Sequence, residues 1–214
     1  MAQPIGLECI RCGRPYPLTA IDRCCETCAL EGVSSNLTCQ APNQDMPDRG
    51  NIPATPSSLW KYADFLPVDI DNAVSLGEGL TPIVNVEGFG HKPIRVKDES
   101  RNPTWSFKDR LATVAVSWAR MIGAPAIATS STGNAGAAAA AYAARAGIPC
   151  IVLTYKGAAG AIVAQMRSYG AMVLTVPEMQ DRWTILSQAV EEFGWFPTSP
   201  FFGIGVTRRA AVTA

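Results

Sequence analysis

The chain has 214 residues, of which 17% are charged and 48% hydrophobic, and its 18 Lys and Arg are matched by 18 Asp and Glu. That length buries a sizeable core, as one large domain or two small ones, and the composition is that of an ordinary globular protein. The balanced charge offers no basic excess for nucleic acid or an acidic membrane surface, so neither partner is expected.

The N-terminal residues reach a first cysteine pair without an apolar stretch of signal-peptide length. The apolar region 124–176 is interrupted by Gly, Pro and polar residues, so no membrane span is expected. A cytoplasmic protein follows, and in a reducing compartment its seven cysteines read as thiols or metal ligands rather than disulfides. Six of them fall within residues 1–40. Cys9-x-x-Cys12 and Cys25-x-x-Cys28 present two thiolate pairs on tight turns, which fits the tetrahedral demand of structural zinc. Gly13 suits the turn after the first pair, and so short a segment needs a staple to fold. The competing reading is of spare thiols, with Cys24 beside Cys25 leaving the register open. Cys39 and Cys150 lie outside the set, and Cys150 is expected as a buried core thiol. Residues 41–58 carry four prolines among Asn, Asp, Gly and Ser, a linker composition.

From Leu59 the pattern becomes that of a folded domain. Ile94–Lys97 reads as a short strand, and Ser106–Met121 as a helix with Leu111, Val114, Ala115 and Trp118 at helical spacing. Gly123, Ala124 and Pro125 stop that helix, and Ala126–Thr129 follows as a strand. Asn134–Arg145 is an alanine-dominated helix ended by Gly147 and Pro149, its small side chains suited to close packing on a sheet. Cys150–Thr154 is a buried strand, Ala159–Tyr169 a helix closed by Gly170, and Met172–Val176 another strand. A last helix follows Asp181, with Trp183, Leu186, Val190 and Phe193 on one face, Trp183 and Phe193 in the core, and Gly194 as its stop. Such alternation predicts an α/β fold, a mostly parallel sheet with helices on both faces.

Two connections carry chemistry. In Asn102-Pro103-Thr104-Trp105-Ser106-Phe107-Lys108-Asp109-Arg110, an irregular turn after a strand delivers Lys108 to a helix start beside the sheet's carboxyl edge. The helix dipole there disfavours a protonated amine, as burial would, and a neutral lysine forms Schiff bases. In Ser130-Ser131-Thr132-Gly133-Asn134-Ala135-Gly136, small residues let backbone N–H groups converge at a helix N-terminus, an anion site to which a carboxylate is suited. Ordinary helix capping is the competing reading of that second segment. His91, the only histidine, sits in a turn-like stretch expected at the surface, which excludes mechanisms needing two histidines. No P-loop or Gly-x-Gly-x-x-Gly stands at a strand–helix junction, which disfavours a kinase or dinucleotide-binding enzyme.

Lys108 within Ser-Phe-Lys-Asp-Arg, followed by Ser-Ser-Thr-Gly-Asn-Ala-Gly, resembles the fold-type II pyridoxal-phosphate (PLP) enzymes. Ser75-Leu76-Gly77-Glu78-Gly79-Leu80-Thr81-Pro82, Lys97-Asp98-Glu99 and Leu59-Trp60-Lys61-Tyr62 are similar to the threonine synthase branch. The resemblance implies PLP held by Lys108 as a Schiff base, with Asn134 bonding its phenolic oxygen and Lys108 also moving protons. It implies Ser131, Thr132 and Gly133 as the holders of a substrate carboxylate, and Arg110 in a supporting role. The implied activity is a lyase converting O-phosphohomoserine and water into threonine and phosphate, in a homodimer. A zinc ribbon at residues 1–40 is common in similar proteins, and residues 59–214 become the N-terminal part of the PLP domain, with about 110–200 its smaller subdomain.

Trp105 departs from the glycine often found there, and an indole crowding the substrate side makes elimination or replacement on another small amino acid the close alternative. The glycine loop for the cofactor's phosphate would lie in a later half, and the ending around Gly203–Ala210 drifts from the Glu-Gly-x-Lys-Thr pattern. The expectation is therefore a fragment with weak activity or none alone. A non-catalytic zinc-binding remnant is the alternative of a different class.

Overall fold

The structure, a computed structural model, describes residues 6–17, 24–40, 52–87, 90 and 92–199. His91, most of the 41–58 stretch and the Gly203–Ala210 ending lie outside the described residues.

The N-terminal segment is a small antiparallel sheet of β1 (Gly6–Cys9), β2 (Pro15–Tyr16) and β3 (Leu37–Gln40), ordered β2-β1-β3, with the short helix α1 (Glu26–Leu30) between β2 and β3. The turn joining β1 to β2 closes through Gly13 N–H donating to Cys9 O at 3.0 Å, and Gly13 takes φ +71°. None of these strands was read from the sequence; each has two to four residues and lacks the continuous apolar or β-branched run that marked the others. Leu7 and Leu37 are fully buried and join one apolar cluster with Leu59 and Trp60 of the following segment.

Ser58 starts a 3-10 helix at Leu59–Phe65 by accepting from Trp60 N–H at 3.2 Å. The Trp60 indole N–H reaches Thr113 Oγ1 at 2.8 Å, anchoring this segment to the first long helix of the domain. Next comes a hairpin of β4 (Ile83–Val86) and β5 (Ile94–Lys97). The Ile94–Lys97 strand thus has its expected bounds, yet it stands in its own antiparallel pair. The connection of residues 87–93 is too short for a parallel crossover, which takes a dozen residues or more. All eight hairpin residues are exposed, among them Ile83, Val84, Val86, Ile94 and Val96.

The remaining elements are α2 (Lys108–Met121), β6 (Ile127–Ser130), α3 (Asn134–Ala146), β7 (Cys150–Tyr155), α4 (Gly160–Ser168), β8 (Met172–Val176), α5 (Asp181–Phe193) and β9 (Phe196–Pro197). The expected bounds hold to within two residues, and the added strand is β9. The sheet runs β8-β7-β6-β9 with every pair parallel. On one face Ile127, Val152 and Phe196 join the apolar cluster that holds Val114, Val116 and the α3 alanines. On the other, Ala128, Leu153 and Val176 pack on Leu186 of α5. Helices therefore cover both faces, as the alternation requires.

The alanine run is buried from Ala137 to Ala143, interrupted only by Tyr142, which is itself buried; small side chains let α3 sit close to α2 and the sheet. Gly136 keeps the packing close there: a Cβ would lie 2.6 Å from Met166 Cε and 3.1 Å from Ser131 Cβ, so the methionine end would have to shift. Phe193 corrects one expectation. It is 53% exposed at the last residue of α5, where its ring meets Trp195 at 5.2 Å. Trp183 is half-buried. Cys150 is buried as expected, and burial pushes its thiol up to about 12. No helix among the described residues is long and apolar enough to cross a membrane.

Candidate cofactor edge and thiol cluster

Chain direction places the two chemistry-bearing connections together. The short turn after α2 makes it run back along β6, and α3 runs back along β6 in the same way. The starts of α2 and α3 therefore both lie at the carboxyl end of β6, and the two helices pack side by side. Lys108 is the first residue of α2 and Asn134 the first of α3. Ligands of open α/β sheets bind at this edge.

Lys108 is half-buried, its Nζ 4.6 Å from the centroid of the Phe107 ring. Its N–H donates to Ser106 Oγ at 3.0 Å. Arg110, 3% exposed, does not face the edge but forks onto Glu99, with Nε to Oε2 at 2.7 Å and Nη2 to Oε1 at 2.8 Å. Thr81 Oγ1 donates to the same carboxylate at 2.6 Å and Asn102 Nδ2 at 2.9 Å. The Arg110 guanidinium outweighs partial burial and holds Glu99 down at about 2. Asn102 Oδ1 accepts from Gly79 N–H at 3.0 Å, and a Cβ on Gly79 would lie 2.9 Å from Leu59 N. The loops 75–82 and 98–110 are thus fastened at one ionic hub.

Behind Lys108 lie two more carboxylates. Asp109, wholly buried, accepts from Thr104 N–H at 2.7 Å and from Thr104 Oγ1 at 2.6 Å. Burial raises its pKa against those bonds. Glu78, also wholly buried, accepts from Tyr142 Oη at 2.7 Å and from Leu76 N–H at 2.9 Å. Burial and then the charges of Glu78 and Asp109 drive the Tyr142 phenol upward. Reading the sequence missed Glu78, Glu99, Asn102 and Asp109 as site builders. Their signal was their place inside the quoted motifs, since nothing in local patterning marks a buried carboxylate.

In the turn before α3, Ser131 Oγ accepts from Gly133 N–H at 3.2 Å and Gly136 N–H at 2.9 Å. The Ser131 N–H is spent on Leu153 O at 2.9 Å. Ser131 therefore shapes the turn. Thr132 and Asn134 are exposed, and their side chains have no hydrogen-bond partner among the described residues. In the first turn of α3 the Gly136 amide is spent on Ser131 Oγ, while the Asn134 and Ala135 amides have no acceptor one turn back. Beside them the buried Ser130 Oγ has no hydrogen-bond partner among the described residues, nor has Thr154 Oγ1 on β7. Free donors around an unsatisfied hydroxyl suit an anionic, oxygen-rich ligand.

The second candidate site is in the N-terminal sheet. The Sγ atoms of Cys9, Cys12, Cys25 and Cys28 all lie within 4.8 Å of one another. Cys9 to Cys28 is 3.7 Å and Cys12 to Cys25 is 3.6 Å. A tetrahedral ion with bonds of about 2.3 Å spaces its sulfurs about 3.8 Å apart, so the four thiols fit zinc. Cys25 rather than Cys24 joins the group, and Cys24 Sγ instead lies 3.5 Å from Ser34 Oγ. Around the cluster, Ser35 Oγ is 3.2 Å from Cys9 Sγ and Tyr16 Oη 3.1 Å from Cys25 Sγ. Burial opposes ionisation of Cys9, but hydrogen bonds from Ser35 and the Cys12 and Arg11 amides bring it down to about 6.

Known proteins similar to this chain bear on the sheet edge. It is 36% identical over 192 residues to a threonine synthase of Methanocaldococcus jannaschii, which covers 86% of the chain and 47% of the relative. It is 38% identical over 177 residues to that of Methanosarcina acetivorans, covering 79% and 42% respectively. The chain thus spans less than half the length of these curated relatives. Among solved structures, O-ureido-L-serine synthase superposes with a TM-score of 0.51 at 29% identity, over 55% of the chain and 40% of that protein. Diaminopropionate ammonia lyase of Escherichia coli shares the fold, with a TM-score of 0.57 at 22% identity over 65% of the chain and 46% of its own. Residues 74–214, which hold Lys108, the Ser131–Asn134 turn and the parallel sheet, match the family described as pyridoxal-phosphate dependent enzyme, and the chain belongs to that family.

Proposed function

We propose that this chain is the N-terminal portion of a PLP-dependent lyase of threonine synthase type, acting on O-phosphohomoserine. The observation that carries the reading is the meeting of Lys108 and the Ser131–Asn134 turn at one carboxyl edge, in a chain belonging to the PLP family. When bound, PLP supplies an electron sink for the substrate's Cα. Lys108 would hold the cofactor through its amine and carry protons to and from the substrate. The exposed Asn134 side chain would donate to the ring oxygen. Ser131, Thr132 and Gly133 would hold the substrate carboxylate, with Ser131 shaping the turn and Thr132 offering its hydroxyl. Arg110 supports from behind by keeping the two flanking loops together.

Residues 1–40 form a zinc ribbon in this reading, with Cys9, Cys12, Cys25 and Cys28 as ligands, supported by sulfur spacings of 3.6 and 3.7 Å. Residues 59–214 are the first part of the PLP domain, within a cytoplasmic homodimer. A second reading, elimination or replacement on another small amino acid, is favoured by Trp105, which stands 69% exposed three residues before Lys108.

The test is visible absorbance of the chain with PLP, then borohydride trapping and peptide mapping, with Lys108→Ala as control. A Schiff-base band trapped on Lys108 and lost in the variant is expected; turnover of O-phosphohomoserine against other amino acids then separates the two readings. Absence of a band, or label scattered over surface lysines, excludes a self-sufficient cofactor site in this chain.

A further inference from the structure

Trp105 sits in the left-handed backbone region at φ +63°, a conformation that bulky side chains adopt only at an energetic cost. Its indole is 69% exposed, so burial of that ring does not offset the strain. What holds the residue must lie in its neighbours. Trp105 N–H donates to Asn102 O at 2.8 Å, and Asn102 is buried at the hub formed by Glu99 and Arg110. On the other flank Thr104 gives both its N–H and its hydroxyl to the two oxygens of Asp109, at 2.7 and 2.6 Å.

Asp109 is an unusual residue to spend on this. It is fully buried, and among the described residues no Lys or Arg forms an ion pair with it, since Arg110 turns to Glu99. A buried carboxylate without a cation is costly, and its place in the first turn of α2 lets the helix dipole offset only part of that cost. Nor is it the cap of α2: the first amide of that helix, Lys108 N–H, is taken by Ser106 Oγ at 3.0 Å. Its two bonds go backward to Thr104 and close a ring of chain, and Lys108 is inside that ring.

We propose that Asp109 is a positioning residue, a clamp on Thr104 that keeps the strained Trp105 turn closed and thereby sets the start of α2 from which Lys108 projects. Its chemical purpose rests on the PLP reading above, but the clamp itself is a property of the chain without cofactor.

Hydrogen exchange of the 214-residue chain tests it. In Asp109→Ala, the peptide spanning 103–110 is expected to exchange at least tenfold faster, with α3 and β7 peptides unchanged. Asp109→Asn retains protection, because an amide of the same shape still bonds Thr104. The decisive variant is Asp109→Ala with Trp105→Gly: glycine takes φ +63° without strain, so the turn stays closed unclamped and protection returns by at least half on a logarithmic scale. Should Asp109→Ala fail to fold, Thr104→Val removes one of the two bonds and gives the same local pattern at smaller amplitude, again relieved by Trp105→Gly. With PLP and borohydride, Asp109→Ala lowers the label on Lys108 at least tenfold and the double variant recovers it. Wild-type-like exchange over 103–110 in Asp109→Ala, or no rescue by Trp105→Gly, overturns the clamp. If wild type takes no label on Lys108, the PLP reading fails, while the exchange comparison still decides the clamp.

Discussion

The thiol cluster and the lysine edge are built by opposite means. Four sulfurs spread over 20 residues of chain meet because each pair is set locally, Cys9 and Cys12 by a tight turn and Cys25 and Cys28 by the first turn of α1, and the small sheet need only bring the two together. At the edge, the loops that lead to Lys108 are held by Glu78, Glu99, Asn102, Asp109 and Tyr142, drawn from three separated stretches and, Glu99 apart, buried. A site made from local turns is expected to stand or fall with its ligand. A site made from packed loops is expected to stand or fall with the core.

The largest expected effect tests the first half of that contrast. Cys9→Ser should reduce bound zinc, measured by elemental analysis, at least tenfold, and unravel residues 6–40 in hydrogen exchange, while borohydride label on Lys108 persists. Loss of the label as well would make ribbon and edge one cooperative unit, which their shared apolar cluster allows.

The second half is tested in the core. Leu186→Ala empties a fully buried position beneath β6 and β7 and should cost about 2–5 kcal/mol in denaturant unfolding. Lys108 labelling should fall as the sheet loosens.

Smaller is the loss from Glu99→Gln, roughly 2–3 kcal/mol at neutral pH for the charged hydrogen bonds to Arg110. Its pH dependence has a definite sign. Arg110 lowers Glu99 from 4.5 to about 2, so the stabilisation is complete above pH 4.5 and is lost as pH falls from there towards 2. The variant should flatten stability over that window. Asp109 works the other way: raised by burial, it favours folding more once protonated, so Asp109→Asn should leave the acid loss due to Glu99 in place.

At the small end, Phe193→Ser should shift stability by no more than about 0.5 kcal/mol, because the ring is 53% exposed at the end of α5. A larger loss would mean that the Phe193–Trp195 contact supports the sheet.

Much of the edge could be read in advance because its frame is periodic. Apolar spacing along α2, α3 and α5, and the stops at Gly123, Gly147 and Gly194, repeat signals that local sterics impose on any chain. The strands of the ribbon, β4 and β9 were not read, although β5 and β6, no longer than four residues, were. Phe193 was misplaced because its spacing puts it on the buried face, yet as the last residue of α5 it stands exposed.

By itself the sequence determined the parallel α/β frame, the positions of Lys108 and the Ser131–Asn134 turn at helix starts, and the paired spacing of four cysteines, all consequences of local chain geometry. Tertiary structure alone decided that Cys25 rather than Cys24 meets the other thiols, that Arg110 serves Glu99 and not the edge, and that Asp109 grips Thr104 behind a strained Trp105. Those choices turn on which side chains are buried against which, and burial sets the energy of a charge only once distant segments have packed around it.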